Sequence, residues 1–168
     1  MLIVFGGLPG TGKSTIARLL AGRLKASYVR VDTIEQALRA CGTLPNSVVT
    51  EGYAVAYRVA EDNLRAGNTV IADSVNPLAV TRDAWLAVAS RAEVPSVEVE
   101  VVCSDANAHR RRLETRTSDV PGLVLPTWDA VQWRDYEPWN RSRIVLDTAS
   151  RTPEDAVECL LLALPGDP

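Results

Sequence analysis

The sequence contains few of the residues that build metal centres or disulfide frameworks. Its 168 residues include one histidine and three cysteines, and no two cysteines have the CxxC spacing of a zinc or redox site. Cys41, Cys103 and Cys159 lie far apart in the chain. This pattern favours free, mostly buried thiols in a reducing compartment over a disulfide framework or a zinc site.

Long apolar runs and an excess of positive charge are also missing. No segment approaches the roughly 18 apolar residues that span a bilayer, and the apolar start at residues 1–5 lacks the positively charged flank of a signal peptide. The formal net charge of −3 argues against a general nucleic-acid coat, because phosphate backbones select for lysine and arginine. We therefore expect a cytoplasmic protein that does not bind membranes.

The composition, with 46% hydrophobic and 23% charged residues, is that of an ordinary globular protein. The length suits one domain over residues 1–168. Short apolar runs alternate with segments of helical periodicity. Strands are predicted at 2–5, 27–31, 69–72, 96–103 and 143–147, and helices at 13–25, 33–40, 54–66, 81–91, 106–116, 128–136 and 153–164. This alternation predicts an α/β fold with a mainly parallel sheet covered on both faces. Ligands of such folds bind beyond the carboxyl ends of the strands.

The segment between the first strand and the first helix matches the phosphate-binding pattern GxxxxGK[ST]. In this pattern the glycines allow close approach of the backbone, and the backbone amides face the phosphates. Lys13 is expected to reach the β- and γ-phosphates, and the hydroxyl of Ser14 to ligate Mg²⁺. The sequence therefore predicts ATP and Mg²⁺ as cofactors; the absence of Asn-Lys-x-Asp removes one reason to prefer GTP. The predicted nucleotide-binding residues are Gly7, Leu8, Pro9, Gly10, Thr11, Gly12, Lys13, Ser14 and Thr15.

Two aspartates follow the second and third predicted strands. Asp32 is placed to accept the proton of an attacking hydroxyl, or to cap the helix at 33–40, and the two roles are compatible. Asp73 is placed like the Walker-B acid that acts on Mg²⁺ directly or through water, with an ordinary strand-end turn as the alternative. We expect Ser74 and Asn76, at the same edge, to contact the acceptor together with Asp32 and Asp73.

A basic segment from Arg110 to Arg116 precedes a loop with two prolines and a glycine at 117–126. Arg112 and Arg116 are four residues apart on the predicted helix and share a face, and the planar guanidinium group suits phosphate. We expect a helical lid at about 105–127 that closes over the nucleotide and excludes water, with Arg112 or Arg116 in a catalytic role. A solvated charged helix face is the alternative.

Other notable side chains surround this segment. The single histidine, His109, has no cysteine or histidine partner nearby, which favours a surface or packing role. Trp128, Trp133 and Trp139 follow the lid together with Tyr136, and we expect them to form an aromatic cluster. Packing of the core or the lid is the first interpretation of this cluster, and a stacking surface for a base or sugar is the second.

The loop at 7–15, Asp32, the turn at 72–77 and the arginine lid together resemble P-loop kinases of the nucleoside-monophosphate-kinase-like group. Within it they are similar to the polynucleotide kinase and zeta-toxin-like branch, and the resemblance covers most of the chain. The turn at 73–76 looks like the Asp-Thr-Asn turn of polynucleotide 5′-hydroxyl kinases. The resemblance implies a three-layer P-loop sandwich with a five-stranded sheet of order 2-3-1-4-5, a general base at Asp32 and a lid arginine on the transferred phosphate.

One position departs from that branch. Polynucleotide kinases carry an arginine shortly after the general-base aspartate, where it grips the acceptor phosphate; this chain has Glu35 and Gln36 near that place and Arg39 further on. An acidic group there repels a phosphate. We therefore expect ATP-dependent phosphoryl transfer to a hydroxyl of a small molecule, such as a sugar, nucleoside or antibiotic. The alternatives are a polynucleotide 5′-hydroxyl kinase and, in a different class, a regulatory module that binds or hydrolyses ATP.

Overall fold

A computed structural model describes residues 1–42 and 49–165, and a parallel five-stranded sheet forms the centre of this part of the chain. The strands are β1 (Leu2–Gly6), β2 (Ser27–Arg30), β3 (Val70–Asp73), β4 (Ser96–Val102) and β5 (Ile144–Asp147). Their order is β2-β3-β1-β4-β5, and all neighbouring pairs are parallel. The predicted fold class and sheet order are thereby confirmed.

Helices connect the strands and cover both faces of the sheet. They are α1 (Lys13–Leu24), α2 (Val31–Ala40), α3 (Val49–Arg65), α4 (Ala79–Arg91), α5 (Ala106–Thr115), α6 (Trp128–Gln132) and α7 (Pro153–Ala163). Within 1–42 and 49–165, none of these helices is long and apolar enough to cross a membrane.

The alternation of side chains along β1 explains the three layers. Ile3 and Phe5 are fully buried in the cluster that contains residues of α1 and α7, such as Leu20. Leu2 and Val4 are equally buried but belong to the opposite cluster, with residues of α3 and α4. Successive strand residues face opposite sides of a sheet, so a continuous apolar strand is suited to the middle layer of the sandwich.

Several element boundaries differ from the predicted ones, and two of them concern the segments next to the predicted acids. α2 begins at Val31, two residues early, because this buried apolar residue packs into the core as the first residue of the helix. α6 ends at Gln132, before the predicted residue 136. The amide of Glu137 instead donates to the carbonyl of Pro77 at 2.8 Å, so the segment after α6 is bound to the turn that follows β3.

The cysteines agree only partly with expectation. All three are free, but Cys41 is exposed and Cys103 and Cys159 are only partly buried. The expectation of mostly buried thiols is therefore wrong.

Candidate active site

The phosphate loop between β1 and α1 has a backbone that favours glycine. Gly7, Gly10 and Gly12 have φ angles of 136°, 89° and 93°, in the region that L side chains rarely adopt. Gly12 is the N-cap residue of α1, and no side chain of the described residues caps this helix. The first amides of α1 have no partner within the helix, so the loop and the helix start fit the phosphates of a nucleotide.

α5 packs directly against this loop. Nε2 of His109 lies 2.8 Å from the carbonyl oxygen of Pro9, and its buried ring meets Trp128 edge-on at 5.2 Å. A Cβ on Gly10 would lie 3.1 Å from both His109 and Leu113. His109 thus has a packing role, as predicted, and the first half of the predicted lid is held on the phosphate loop.

Asp73 is the last residue of β3 and lies almost completely buried at the base of the loop. Its Oδ1 is 2.9 Å from Nζ of Lys13, and its Oδ2 accepts a 2.5 Å hydrogen bond from the hydroxyl of Tyr28. Burial alone would raise the pKa of Asp73, but Lys13 and the hydrogen bonds from Tyr28, Lys13 and Ser14 hold it below its ordinary value. The carboxylate is therefore ionised and bonded on both oxygens.

Tyr28 is a site residue that the sequence analysis missed. It lies on β2, and burial followed by the charge of Asp73 raises the pKa of its hydroxyl, which keeps it protonated as a donor. The register that pairs Arg30 with Asp73 brings β2 beside β3. The signal that could have identified Tyr28 is the sheet order, because it places β2 next to β3 and so brings Tyr28 close to Asp73.

The residues at the phosphate loop fit a magnesium ion that is held mainly by phosphates and water. Among the described residues, no group of three or more histidine, cysteine, aspartate or glutamate side chains could hold a metal. Mg²⁺ is commonly held by one or two carboxylates, water and substrate phosphates rather than by a cage of protein ligands. The hydroxyl of Ser14 and the carboxylate of Asp73 match that donor set, and their roles as ligands remain predictions.

Asp32 lies in the first turn of α2 and does not cap the helix. The N-cap residue is Arg30, in an extended conformation, so the capping alternative for Asp32 is wrong. The early start of α2 at Val31 is the reason. The carboxylate of Asp32 lies 3.9 Å from Nε of Arg30, and 36% of its side chain is exposed. It borders the main cavity.

This cavity, with a volume of about 1380 Å³, connects the phosphate loop to Asp32 and continues beyond it. The loop end is bordered by Gly10, Lys13 and Thr148, and the far end by Tyr53 and Tyr57. Pockets for one drug-sized ligand usually measure about 300–1,000 Å³. The cavity is thus large enough for a nucleotide and a second molecule.

The two predicted lid arginines have different surroundings. Arg112 donates to the hydroxyl of Thr148 at 2.9 Å and to its carbonyl oxygen at 2.8 Å, and the Thr148 hydroxyl donates to the carbonyl oxygen of Thr11 at 2.8 Å. Arg116 has an extended backbone because α5 ends at Thr115, so the two do not share a helix face.

Arg116 is therefore the arginine on the side of Asp32. It borders the cavity, and its buried Nε has no hydrogen-bond partner among the described residues. Burial lowers the pKa of Arg116, while the charge of Asp32 opposes that shift. Arg110 and Arg111 are exposed, and Arg110 pairs with Glu114 at 2.8 Å, so a solvated face is the correct interpretation for these two.

Asp119, in the loop after α5, is a second residue that the sequence analysis did not identify. Its carboxylate accepts from Arg18 on α1 at 3.0 Å and from Arg30 at the end of β2 at 2.8 Å. These contacts fix the loop beside the cavity, which Asp119 also borders.

Two of the predicted acceptor contacts do not agree with the geometry. Asn76 is fully buried, and its Nδ2 donates to the carbonyl oxygen of Phe5 at 2.8 Å, so it holds the turn after β3 instead of facing the cavity. Asp73 is 1% exposed and paired with Lys13, which also argues against a contact with the acceptor. Ser74 borders the cavity, and its expected contact remains a prediction.

The four aromatic residues do not form the predicted joint cluster, although Trp128 packs as expected and Trp139 contacts Tyr136. Trp128 packs against His109, Trp133 is 88% exposed, and Nε1 of Trp139 donates to the hydroxyl of Tyr136 at 2.9 Å. The early end of α6 leaves Trp133 exposed and apart from the Trp139–Tyr136 pair. Among the described residues that line the cavity there is no tryptophan, so the stacking alternative has no support here.

Comparisons with known proteins agree with this geometry. The model of a family described as "AAA domain" matches residues 2–131. The chain is 27% identical over 173 residues to a "Probable adenylyl-sulfate kinase" of Aeropyrum pernix, covering 92% of this chain and 86% of that protein. It is 29% identical over 169 residues to the "Shikimate kinase" of Streptomyces coelicolor, covering 97% and 95%.

Among solved structures, Kti12 of Chaetomium thermophilum in complex with ADP-AlF3 has the same fold. Its TM-score is 0.70 at 24% identity, and the match covers 99% of this chain and 100% of that one. The family match spans well over half of the sequence. The chain therefore belongs to the AAA domain family, and it has the fold and the phosphate loop of P-loop kinases.

Proposed function

We propose that this protein is a kinase that transfers the γ-phosphoryl group of ATP to a hydroxyl group of a small molecule. The observation that carries the proposal is that one cavity joins the phosphate loop to Asp32, a carboxylate that does not cap its helix. The two curated relatives described above are kinases by name, which supports the same class of reaction.

On the donor side, the amides of the loop and the ammonium group of Lys13 bind the phosphates, and Thr15 adds a contact. Lys13 is held by Asp73 at 2.9 Å, so it is already oriented at the base of the loop. Ser14 and Asp73 would hold Mg²⁺, which neutralises phosphate charge when it is bound. Because both oxygens of Asp73 accept hydrogen bonds, we assign it contact through water.

On the acceptor side, Asp32 accepts the proton of the attacking hydroxyl. The acceptor oxygen forms a bond to the γ-phosphorus as the bond from that phosphorus to the bridging oxygen breaks, and ADP leaves with the electron pair. Arg116 stabilises the negative charge on the transferred group. Arg112 acts differently, because it connects the β5–α7 turn to the loop through Thr148.

The surroundings of Asp32 favour a small acceptor over a nucleic-acid end. Glu35 borders the same cavity, and burial followed by the charge of Asp32 raises its pKa. Two neighbouring carboxyl groups disfavour a phosphate next to the acceptor hydroxyl. We place the reaction in the cytoplasm, where ATP is available, with a nucleotide and a small molecule as the binding partners.

A screen for acceptors tests the proposal. ADP release is measured over nucleosides, sugars, aminoglycosides and 5′-hydroxyl oligonucleotides, with γ-labelled ATP to follow the phosphoryl group. We expect label on one class of small molecule. Label on the oligonucleotide would instead indicate a polynucleotide kinase, and ADP release that needs no acceptor would indicate a hydrolysing module.

A lysine variant checks that the activity belongs to this site. Lys13→Met should abolish acceptor-dependent ADP release, because the ammonium group on the phosphates is lost. Lys25→Met is the matched control, since Lys25 follows α1 and is not among the described residues that line the cavity. Turnover of Lys13→Met at the rate of the control would contradict the proposal.

A further inference from the structure

We infer that the acceptor is an uncharged hydroxyl compound with a bulky apolar body, such as an aryl glycoside or an aryl-substituted diol. The inference rests on the proposed function and concerns the end of the cavity beyond Asp32. Several of the described residues that border it are apolar or aromatic.

Part of the wall of this end comes from α3, α4 and the segment that joins β3 to α4. The described residues that form it include Tyr53, Tyr57, Pro77, Leu78, Val80 and Ala84. Ligand sites are usually lined by apolar and aromatic side chains with a few polar groups that fix orientation. Here Asp32 and Ser74 are such polar groups, at the start of an apolar arm.

The hydroxyl groups of the two tyrosines are engaged within the protein, so their rings are what an acceptor would contact. The hydroxyl of Tyr53 accepts from the amide of Asn76 at 3.3 Å, and that of Tyr57 donates to the carbonyl oxygen of Thr81 at 3.2 Å. The rings lie 5.9 Å apart, and Tyr57 rests edge-on against Trp85 at 4.6 Å. Their polar tips are thus engaged by the backbone, and a fixed aromatic surface remains.

Two exposed valines from different segments border the same cavity. Val80, in the first turn of α4, is 67% exposed, and Val124, in the loop after α5, is 87% exposed. Single exposed apolar residues are common on proteins. Two that border one cavity would both be removed from water by a ligand with an apolar body.

Two arginines near this end, Arg39 and Arg30, are paired before an acceptor binds. Arg39 is 3.4 Å from Glu35, and Arg134, which is exposed, also acts on Glu35 by its charge. Arg30 is engaged by Asp119 at 2.8 Å. An anionic acceptor would meet the carboxylates of Asp32 and Glu35. Arg116, whose Nε has no partner among the described residues, is assigned to the transferred phosphoryl group. An uncharged acceptor avoids the repulsion from the two carboxylates.

Matched acceptors test this inference. Equilibrium dialysis in the presence of AMPPNP measures binding of 4-nitrophenyl β-D-glucopyranoside against D-glucose and D-gluconate, and of 3-phenoxy-1,2-propanediol against glycerol. We expect the aryl member of each set to bind at least about tenfold more tightly, as apolar contacts allow, and gluconate to bind weakest. Equal or tighter binding of the polar or anionic members, or no binding of either aryl compound, would overturn the inference.

Variants then locate the binding surface. Val80→Asp and Val124→Asp should weaken aryl binding by about tenfold or more and leave AMPPNP binding unchanged. Val59→Asp is the matched control, because Val59 is 42% exposed on α3 and is not among the described residues that line the cavity. If both cavity variants bind the aryl compounds as the control does, the apolar wall is not the acceptor site.

Two results distinguish a wrong acceptor class from a wrong reaction. Tight binding of an aryl compound with no ADP release from any acceptor would contradict the proposed function and leave this surface as a ligand site. Transfer to glucose, gluconate and the aryl compounds with equal efficiency would support the kinase and contradict the apolar acceptor.

Discussion

The hydroxyl of Tyr28 donates a 2.5 Å hydrogen bond to Oδ2 of Asp73, while Lys13 occupies the other oxygen at 2.9 Å. Tyr28, on β2, thereby contacts the carboxylate at the end of β3, and this carboxylate in turn contacts the lysine of the phosphate loop. Tyr28 is in this way a positioning residue for the predicted magnesium and phosphate site.

Tyr28→Phe removes one donor from Asp73. We expect it to lower the free energy of unfolding by about 1 kcal/mol and to weaken Mg²⁺-dependent ATP binding, measured by urea unfolding and by calorimetric ATP titration at several Mg²⁺ concentrations. The hydrogen bond from Tyr28 helps to hold the pKa of Asp73 down. Its contribution to the stability of the fold is therefore present above the pKa of about 3.9 that aspartate has in the unfolded chain. It is lost as the pH falls through the lower folded pKa.

Tyr136→Phe is the matched control for Tyr28→Phe. It removes a hydroxyl that bonds Glu100 and Trp139, and Tyr136 is not among the described residues that line the cavity. Its effect should be confined to stability. Equal losses of ATP affinity in the two variants would contradict the positioning role of Tyr28.

Gly10→Ala tests the backbone of the phosphate loop. With φ at 89°, alanine is strained by about 1–2 kcal/mol, and its Cβ would press on His109 and Leu113 at 3.1 Å. We expect lower stability and a large loss of ATP affinity. Gly67→Ala has a similar φ of 85° with nothing near the new Cβ, so it should lose stability alone. ATP affinity that falls equally in both would contradict the account of the loop.

Substitutions of the arginines in the basic segment should change different kinetic constants. Arg116→Ala is expected to lower kcat by about 100-fold or more with little change in the KM for ATP. Arg112→Ala should mainly raise the KM for ATP, because it releases the turn at Thr148. Arg110→Ala, at an exposed position paired with Glu114, is the control. A kcat effect of Arg112→Ala as large as that of Arg116→Ala would contradict this division.

Glu35→Gln should change the pH dependence of stability. Burial and the charge of Asp32 raise the folded-state pKa of Glu35, so its contribution to stability is present below the unfolded pKa of about 4.3 and is lost as the pH rises through the folded value. Glutamine does not titrate. Urea unfolding should therefore show the variant gaining stability relative to the wild type as the pH rises above about 4.3; a relative loss with rising pH would contradict the shift.

Much of the donor site could be predicted because it is local in sequence. The loop pattern, the strand before it and the helix after it lie within residues 2–24, and Asp32 and Asp73 follow strands whose carboxyl ends meet at one edge. The sheet order was implied by a family resemblance, and the observed strand pairing confirms this order.

Contacts between distant segments could not be predicted in this way. Tyr28 acts on Asp73 only because β2 lies next to β3, and no spacing within one strand contains that information. Arg112 and Arg116 separate because α5 ends between them at Thr115. The tryptophans scatter because α6 is short and the following segment binds the turn at Pro77.

The central claim is that Asp32 activates the acceptor hydroxyl. Its most direct test is single-turnover transfer of label from ATP to the acceptor found in the screen, with ATP binding measured alongside. Asp62→Asn, at an exposed position on α3, serves as the control. We predict that Asp32→Asn lowers the transfer rate by more than about 100-fold while ATP binds with unchanged Kd. Transfer by Asp32→Asn at a rate near that of the control would contradict the account.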